Sequence, residues 1–191
     1  MTHLRLRTLR PAQAAAGLLA AVAAVASVAA AAPAATTAPT ACGILTRTLA
    51  ASLLEEQPRT IASTPLVCQY GRASERASTT RSTVGLTIVR NASVAAAKTT
   101  QLRLEQLAPK KTPPGMTGFA RGRVVVPNGE ATYVYFRQAE GPVVGGFVFL
   151  RVGAYTAQLT PQVVAKVGRA FGAADLKRVA AQLGANLSKA A

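Results

Sequence analysis

Tryptophan is absent from the 191 residues of this chain, histidine occurs once (His3), aspartate once (Asp175), and only 5% of residues are aromatic. A Ser-His-Asp triad needs an imidazole beside its nucleophile, and a zinc site needs three or four ligands drawn from His, Cys and acids. Beyond residue 3 the chain offers two cysteines, seven acidic side chains and no histidine. No metal and no cofactor are therefore expected. Serine and lysine are plentiful, but no S-x-x-K spacing occurs, which removes the simplest histidine-free nucleophile. Two cysteines cannot by themselves staple a chain of this length, so a disulfide-framework fold is excluded. The fold must rest on a hydrophobic core.

What the chain does hold is alanine and positive charge, with 22 Lys+Arg against 7 Asp+Glu, a formal +15. Arg5, Arg7 and Arg10 precede an uncharged run from Ala12 to Ala32 in which 13 of 21 residues are alanine. Ala32-Pro33-Ala34 then supplies small residues before a cut at Ala34/Ala35. Positive start, apolar middle and A-x-A exit describe a secretory signal peptide over residues 1–34. An uncleaved membrane anchor is the alternative, since about 20 apolar residues can span a bilayer. Arg5 and Arg7 are separated by Leu6, so there is no twin-arginine pair. Removing residues 1–34 with their three arginines leaves 157 residues carrying 19 basic and 7 acidic groups, a formal +12. The reading is an exported, basic protein, secreted or held in the cell envelope.

Export places Cys42 and Cys68, 26 residues apart, in an oxidising space where they are expected to pair. A redox motif would need closer thiols. Residues 35–41 contain only Ala, Thr and Pro and read as a short leader. Residues 42–191 then read as one domain. Leu45, Leu49 and Leu53 repeat as a helix stripe that Pro58 stops. Leu66, Cys68 and Tyr70 alternate as a strand, residues 71–82 with Arg72 read as a polar loop, and Val84, Leu86 and Ile88 alternate as a second strand. Ser93 is placed to cap a helix running to Pro109. After a loop over 110–118, strands are expected at 119–126, 131–138, 144–152 and 155–159, with Pro127-Asn128-Gly129 as a tight turn. Thr160-Pro161 reads as a helix start, with Val164, Val167 and Phe171 on its stripe. Leu176, Val179, Leu183 and Leu187 form a further stripe behind Asp175. The fold class is α+β: a twisted antiparallel sheet of five to six strands, ending in a meander, packed against helices with one disulfide.

The opening Ala41-Cys42-Gly43-Ile44-Leu45-Thr46, the segment Cys68-Gln69-Tyr70-Gly71, and the meander ending Arg151-Val152-Gly153-Ala154-Tyr155 before a terminal helix resemble uncharacterised small secreted and lipoprotein domains of actinobacterial cell envelopes. The likeness spans about residues 42–187. It implies an extracytoplasmic α+β domain and brings no catalytic residue with it. Pro39 stands where a lipidated member carries leucine, so lipidation of Cys42 does not follow.

Glu55-Glu56 is the one adjacent acid pair, and neighbours on a helix face different directions, so a solvated surface is expected there. Asn91-Ala92-Ser93 matches a glycosylation sequon but reads better as a strand end and a helix cap. Gly145-Gly146 reads as a bulge or a close backbone approach. In the meander, Tyr133, Tyr135 and Arg137 share one side of a strand, as do Phe147, Phe149 and Arg151, and Arg121 and Arg123. Arg121, Arg123, Arg137 and Arg151 are the candidate anion-binding residues, on a face that could stack rings and hold anions. The competing reading covers that face with a helix, such as residues 44–56, making the aromatics a second core layer. The functional expectation is a non-catalytic protein that meets an anionic envelope polymer, lipid headgroups or another envelope protein. Export argues against a nucleic-acid partner. The alternative is a histidine-free hydrolase or transferase with a glutamate-based site.

Overall fold

The computed structural model describes residues 38–76, 81–165 and 171–191. The signal segment, the Ala34/Ala35 cut and Val167 lie outside them. Two short helices open the described chain, α1 (Ala41–Ile44) and α2 (Arg47–Leu54). Thr40 and Thr46 cap them, their hydroxyls accepting from the amides of Gly43 and Leu49. The expected single helix is thus two, because the Thr46 cap restarts the chain one residue after buried Leu45.

Three strands follow: β1 (Pro58–Ser63), β2 (Val67–Arg72) and β3 (Thr83–Arg90). The sequence reading missed β1, because Pro58 stops a helix yet is tolerated as the first residue of an edge strand. With β1 the sheet has seven strands, not five or six. The expected loop over 71–82 also begins too early, since Gly71 and the buried Arg72 belong to β2.

Helix α3 (Val94–Leu107) carries the chain from β3 to the far edge of the sheet. Ser93 caps it by accepting from the Ala96 amide, and it ends at Leu107. Its 14 residues run about 21 Å, close to the four strand spacings of about 4.8 Å that separate β3 from the opposite edge. The meander then returns through β4 (Met116–Val126), β5 (Gly129–Gln138), β6 (Val143–Val152) and β7 (Tyr155–Val164), and β7 closes onto β3. The order is β1-β2-β3-β7-β6-β5-β4, antiparallel throughout. The β4–β5 turn places Asn128 at φ 55°, a conformation asparagine tolerates, behind the fixed φ of Pro127.

Thr160-Pro161 does not start a helix; both residues lie inside β7. Leu159, Pro161 and Val163 are all buried on one side, so the two-residue period prevails over the local capping signal. Proline fits because β6–β7 pairing runs from Val143↔Val164 to Gly145↔Gln162 and resumes only at Val148↔Leu159. Pro161, without an N–H, falls in that gap. Gly145 and Gly146 flank the same gap and are close approaches: a Cβ on Gly146 would stand 2.5 Å from the Val134 carbonyl oxygen and 2.7 Å from Leu176.

The last helix, α4 (Ala173–Ala190), starts where the Asp175 carboxylate accepts from the Gly172 amide. Its stripe of Leu176, Val179, Leu183 and Leu187 is fully buried, as the spacing requires. α1, α2 and α4 cover one face of the sheet and enclose the main core with Val84, Leu86, Ile88, Val148, Leu150 and Leu159. Alone on the other face lies α3, against β6 and β7.

Candidate functional site

Cross-strand register decides which expected site residues share a surface. Thr132 pairs with Phe149, Val134 with Phe147, and Glu130 with Arg151. Across β4, Arg121 pairs with Val134 and Arg123 with Thr132. Arg121, Arg123 and Arg151 therefore lie on the α3 face with the phenylalanines. Tyr133, Tyr135 and Arg137 pair with Val148, Gly146 and Val144, on the α4 face. The expected grouping of all the aromatics and all four arginines on one face is corrected: Tyr135 meets Phe171 edge-on at 6.0 Å on the α4 side, and Arg137 stands exposed there.

On the α3 side, Phe147 and Phe149 stack at 5.8 Å and Phe136 leans on Phe147 at 5.9 Å. With Ala108, Val134, Leu104 and Phe119 they form a second, smaller core. A helix covers these rings, but it is α3 and not the 44–56 segment. Around this cluster runs a polar layer. Glu105, buried on α3, accepts from Gln101 Nε2 at 2.9 Å and from Thr132 Oγ1 at 2.8 Å. Asn91 Nδ2 donates to the carbonyls of Val89 and Ala154 and to Thr156 Oγ1, and Thr100 donates to Asn91 Oδ1. These bonds lock α3 to the sheet and engage the Asn91 amide nitrogen internally.

The four arginines have different surroundings. Arg121 reaches back to the end of α3, donating to the carbonyls of Pro109 at 3.3 Å and Glu105 at 3.5 Å. A cation there satisfies orphan carbonyls and opposes the negative end of the helix dipole. Arg151 pairs with Glu130 at 3.4 Å. Arg123 is exposed two residues from Arg121 on the same side of β4. Arg121 holds the end of α3 against β4, and Lys110 and Lys111, both exposed, follow that helix end. Arg103 is exposed on α3 itself. Among the described residues Arg103, Lys110, Lys111 and Arg123 have no carboxylate within ion-pair distance. Position after a helix end, not strand alternation, is the signal that would have found the lysines.

The acids are dispersed, and several of them are engaged. Glu56 accepts from the Ser74 amide and hydroxyl at 2.6 and 2.7 Å, so it is a loop anchor and not simple solvated surface. Glu55 closes α2 in the left-handed region. Burial pushes the Glu75 carboxyl up, but the Ser82 hydroxyl, the Ser82 and Arg81 amides and the Arg72 charge outweigh it and hold the group below its ordinary value. Asp175 binds Arg178 at 2.6 Å. Among the described residues no group of three or more His, Cys, Asp or Glu side chains could hold a metal.

Cys42 and Cys68 form the disulfide, with Cα atoms 5.0 Å apart, tying α1 to the start of β2. Among the described residues no helix is long and apolar enough to cross a membrane. No protein-family model matches the chain, and no curated protein matches it.

Proposed function

We propose that the protein is a non-catalytic, extracytoplasmic binding domain of the cell envelope. It meets an anionic partner through the basic surface formed by the end of α3 and by β4. The observation that carries this reading is that Arg121 ties the end of α3 to β4, and that the exposed Arg103 on α3, Lys110 and Lys111 after it, and Arg123 on β4 have no acid paired to them among the described residues. Glu105, the acid nearest in sequence, is buried and already hydrogen-bonded. Guanidinium and ammonium groups left in water act over a Debye length of about 8 Å at physiological ionic strength, which suits a phosphate- or carboxylate-bearing partner. The signal-like N-terminus and the disulfide support export. The resemblance to actinobacterial envelope domains points to the same compartment.

Two measurements test the reading. N-terminal sequencing of the exported protein should begin at Ala35; a terminus at Met1, or a lipid on Cys42, contradicts it. The exported protein should be retained on immobilised polyphosphate at low salt and released near physiological salt. No retention at low salt contradicts the anionic partner.

A further inference from the structure

Seven large apolar side chains are exposed among the described residues, and four of them lie at one end of the sheet: Leu66, Val67, Val94 and Val125. β1 ends and β2 begins at this end, β3 passes into α3 there, and β4 finishes there. Leu66 is 57% exposed and Val125 is 92% exposed. From β2 to β4 the row crosses five strand spacings, about 24 Å.

The backbone along this end is fixed by a chain of bonds between successive loops. The Ala41 amide donates to Pro65, Ile88 to the carbonyl of Leu66, Asn91 to Ala154, and Gly153 to Asn128. Asn128 Nδ2 then reaches Ser188 Oγ on α4. The Cys42–Cys68 bridge sits one residue from Val67. Apolar side chains presented on a rigid frame lose little further backbone entropy when they are buried. Exposed Arg90 closes β3, and exposed Lys189 lies in the last turn of α4. Glu130, the acid in this region of β5, is held by Arg151.

We infer that this end of the sheet is a rim that rests on a lipid bilayer carrying anionic headgroups, its four apolar side chains entering the interface. A shallow row spread over the sheet's width matches a plane better than the compact buried centre of a protein interface. Basic groups beside apolar tips are the pair of attractions that interfacial binding combines. This inference goes beyond the basic surface at α3 and β4 and stands on other residues.

The absence of tryptophan makes a clean reporter available. Leu66→Trp, Val125→Trp and, as a control, Leu107→Trp place one indole each on exposed positions. Leu107 lies 13 residues along α3 from Val94, about 20 Å from the rim. Vesicles containing phosphatidylglycerol should shift the emission of the first two to the blue and leave the third unchanged. No shift at positions 66 and 125, or an equal shift at 107, overturns the inference. A shift produced by solubilised envelope proteins but not by vesicles assigns the rim to a protein partner and also overturns it.

The variant Leu66→Ser/Val94→Ser/Val125→Ser alters exposed side chains only, so its thermal midpoint should match the parent. It should lose about ten-fold or more in vesicle partitioning, the part that scales with buried apolar area. Its retention on soluble polyphosphate should be unchanged, which separates the rim from the basic surface. Unchanged vesicle partitioning, or equal loss on both probes, contradicts the rim.

Discussion

Replacing Arg72 with methionine should cost more stability than replacing any exposed arginine. Its side chain is 4% exposed. Nε donates to the carbonyl of Leu54 at 2.8 Å, in the last turn of α2, and one terminal nitrogen donates to Val164 at 2.7 Å, at the end of β7. These bonds join three elements that no other described side chain links in this way. A hydrogen bond to a charged group contributes about 1.5–3 kcal/mol, and a buried carbonyl left without its donor carries its own penalty. Against this stands the relief of a buried guanidinium, one nitrogen of which has no partner. The net loss expected is about 3 kcal/mol, about a 6–12 °C fall in Tm for a domain of this size. Urea unfolding with an unchanged m-value is the assay, and Arg81→Met at an exposed position is the control, expected within about 0.5 kcal/mol. A loss at Arg72 no larger than at Arg81 refutes the linking role.

Replacing both bridged cysteines by alanine should lower stability by about 3–4 kcal/mol on the loop-entropy account, read from the same urea curves, and thiol labelling of the denatured, unreduced protein should find no free group. Glu75 has a folded pKa below its ordinary value, so its contribution is full above about pH 4.5 and is lost as pH falls through the folded pKa. Glu75→Gln should flatten stability against pH in that acid range and leave the slope near pH 7 unchanged. Glu105→Ala should cost about 2–3 kcal/mol by stranding the buried Thr132 hydroxyl and Gln101 amide, while Glu140→Ala at an exposed turn should fall within about 0.5 kcal/mol.

Where a segment's burial follows one period, the sequence is easy to read. The alternation of Val84, Leu86 and Ile88 and the stripe of Leu176, Val179, Leu183 and Leu187 each matched a single pattern, and each is buried as expected. The misreadings come where two local signals compete. Pro58 and Pro161 carry helix-boundary meanings in isolation, yet both sit in strands, because pairing with β2 and β3 outweighs a single-residue preference. Polar burial was invisible for a different reason. Arg72 and Glu105 are inside because partners 18, 92 and 27 residues away meet them, and no periodicity reports such distances; Gln101 is held by Glu105 one helical turn on. The arginine faces failed at register: alternation fixes sides within one strand, whereas the pairing that sets Arg137 opposite Val144 is a property of the sheet.

The central claim, that a particular surface and not net charge alone meets the anionic partner, is tested by two charge-matched variants. One replaces Lys110, Lys111 and Arg123 with glutamine, and the other replaces Arg81, Arg137 and Lys177. All six residues are exposed. Affinity for a defined polyphosphate is measured across salt concentrations, since each cation engaged adds to the slope of log affinity against log salt. The account predicts that the first variant lowers the magnitude of that slope by about two and weakens binding steeply at low salt, by analogy with about 0.7 for each contact to a single-stranded polyanion. The second variant should keep the parent slope. Equal losses in the two would assign the attraction to total charge and contradict the account.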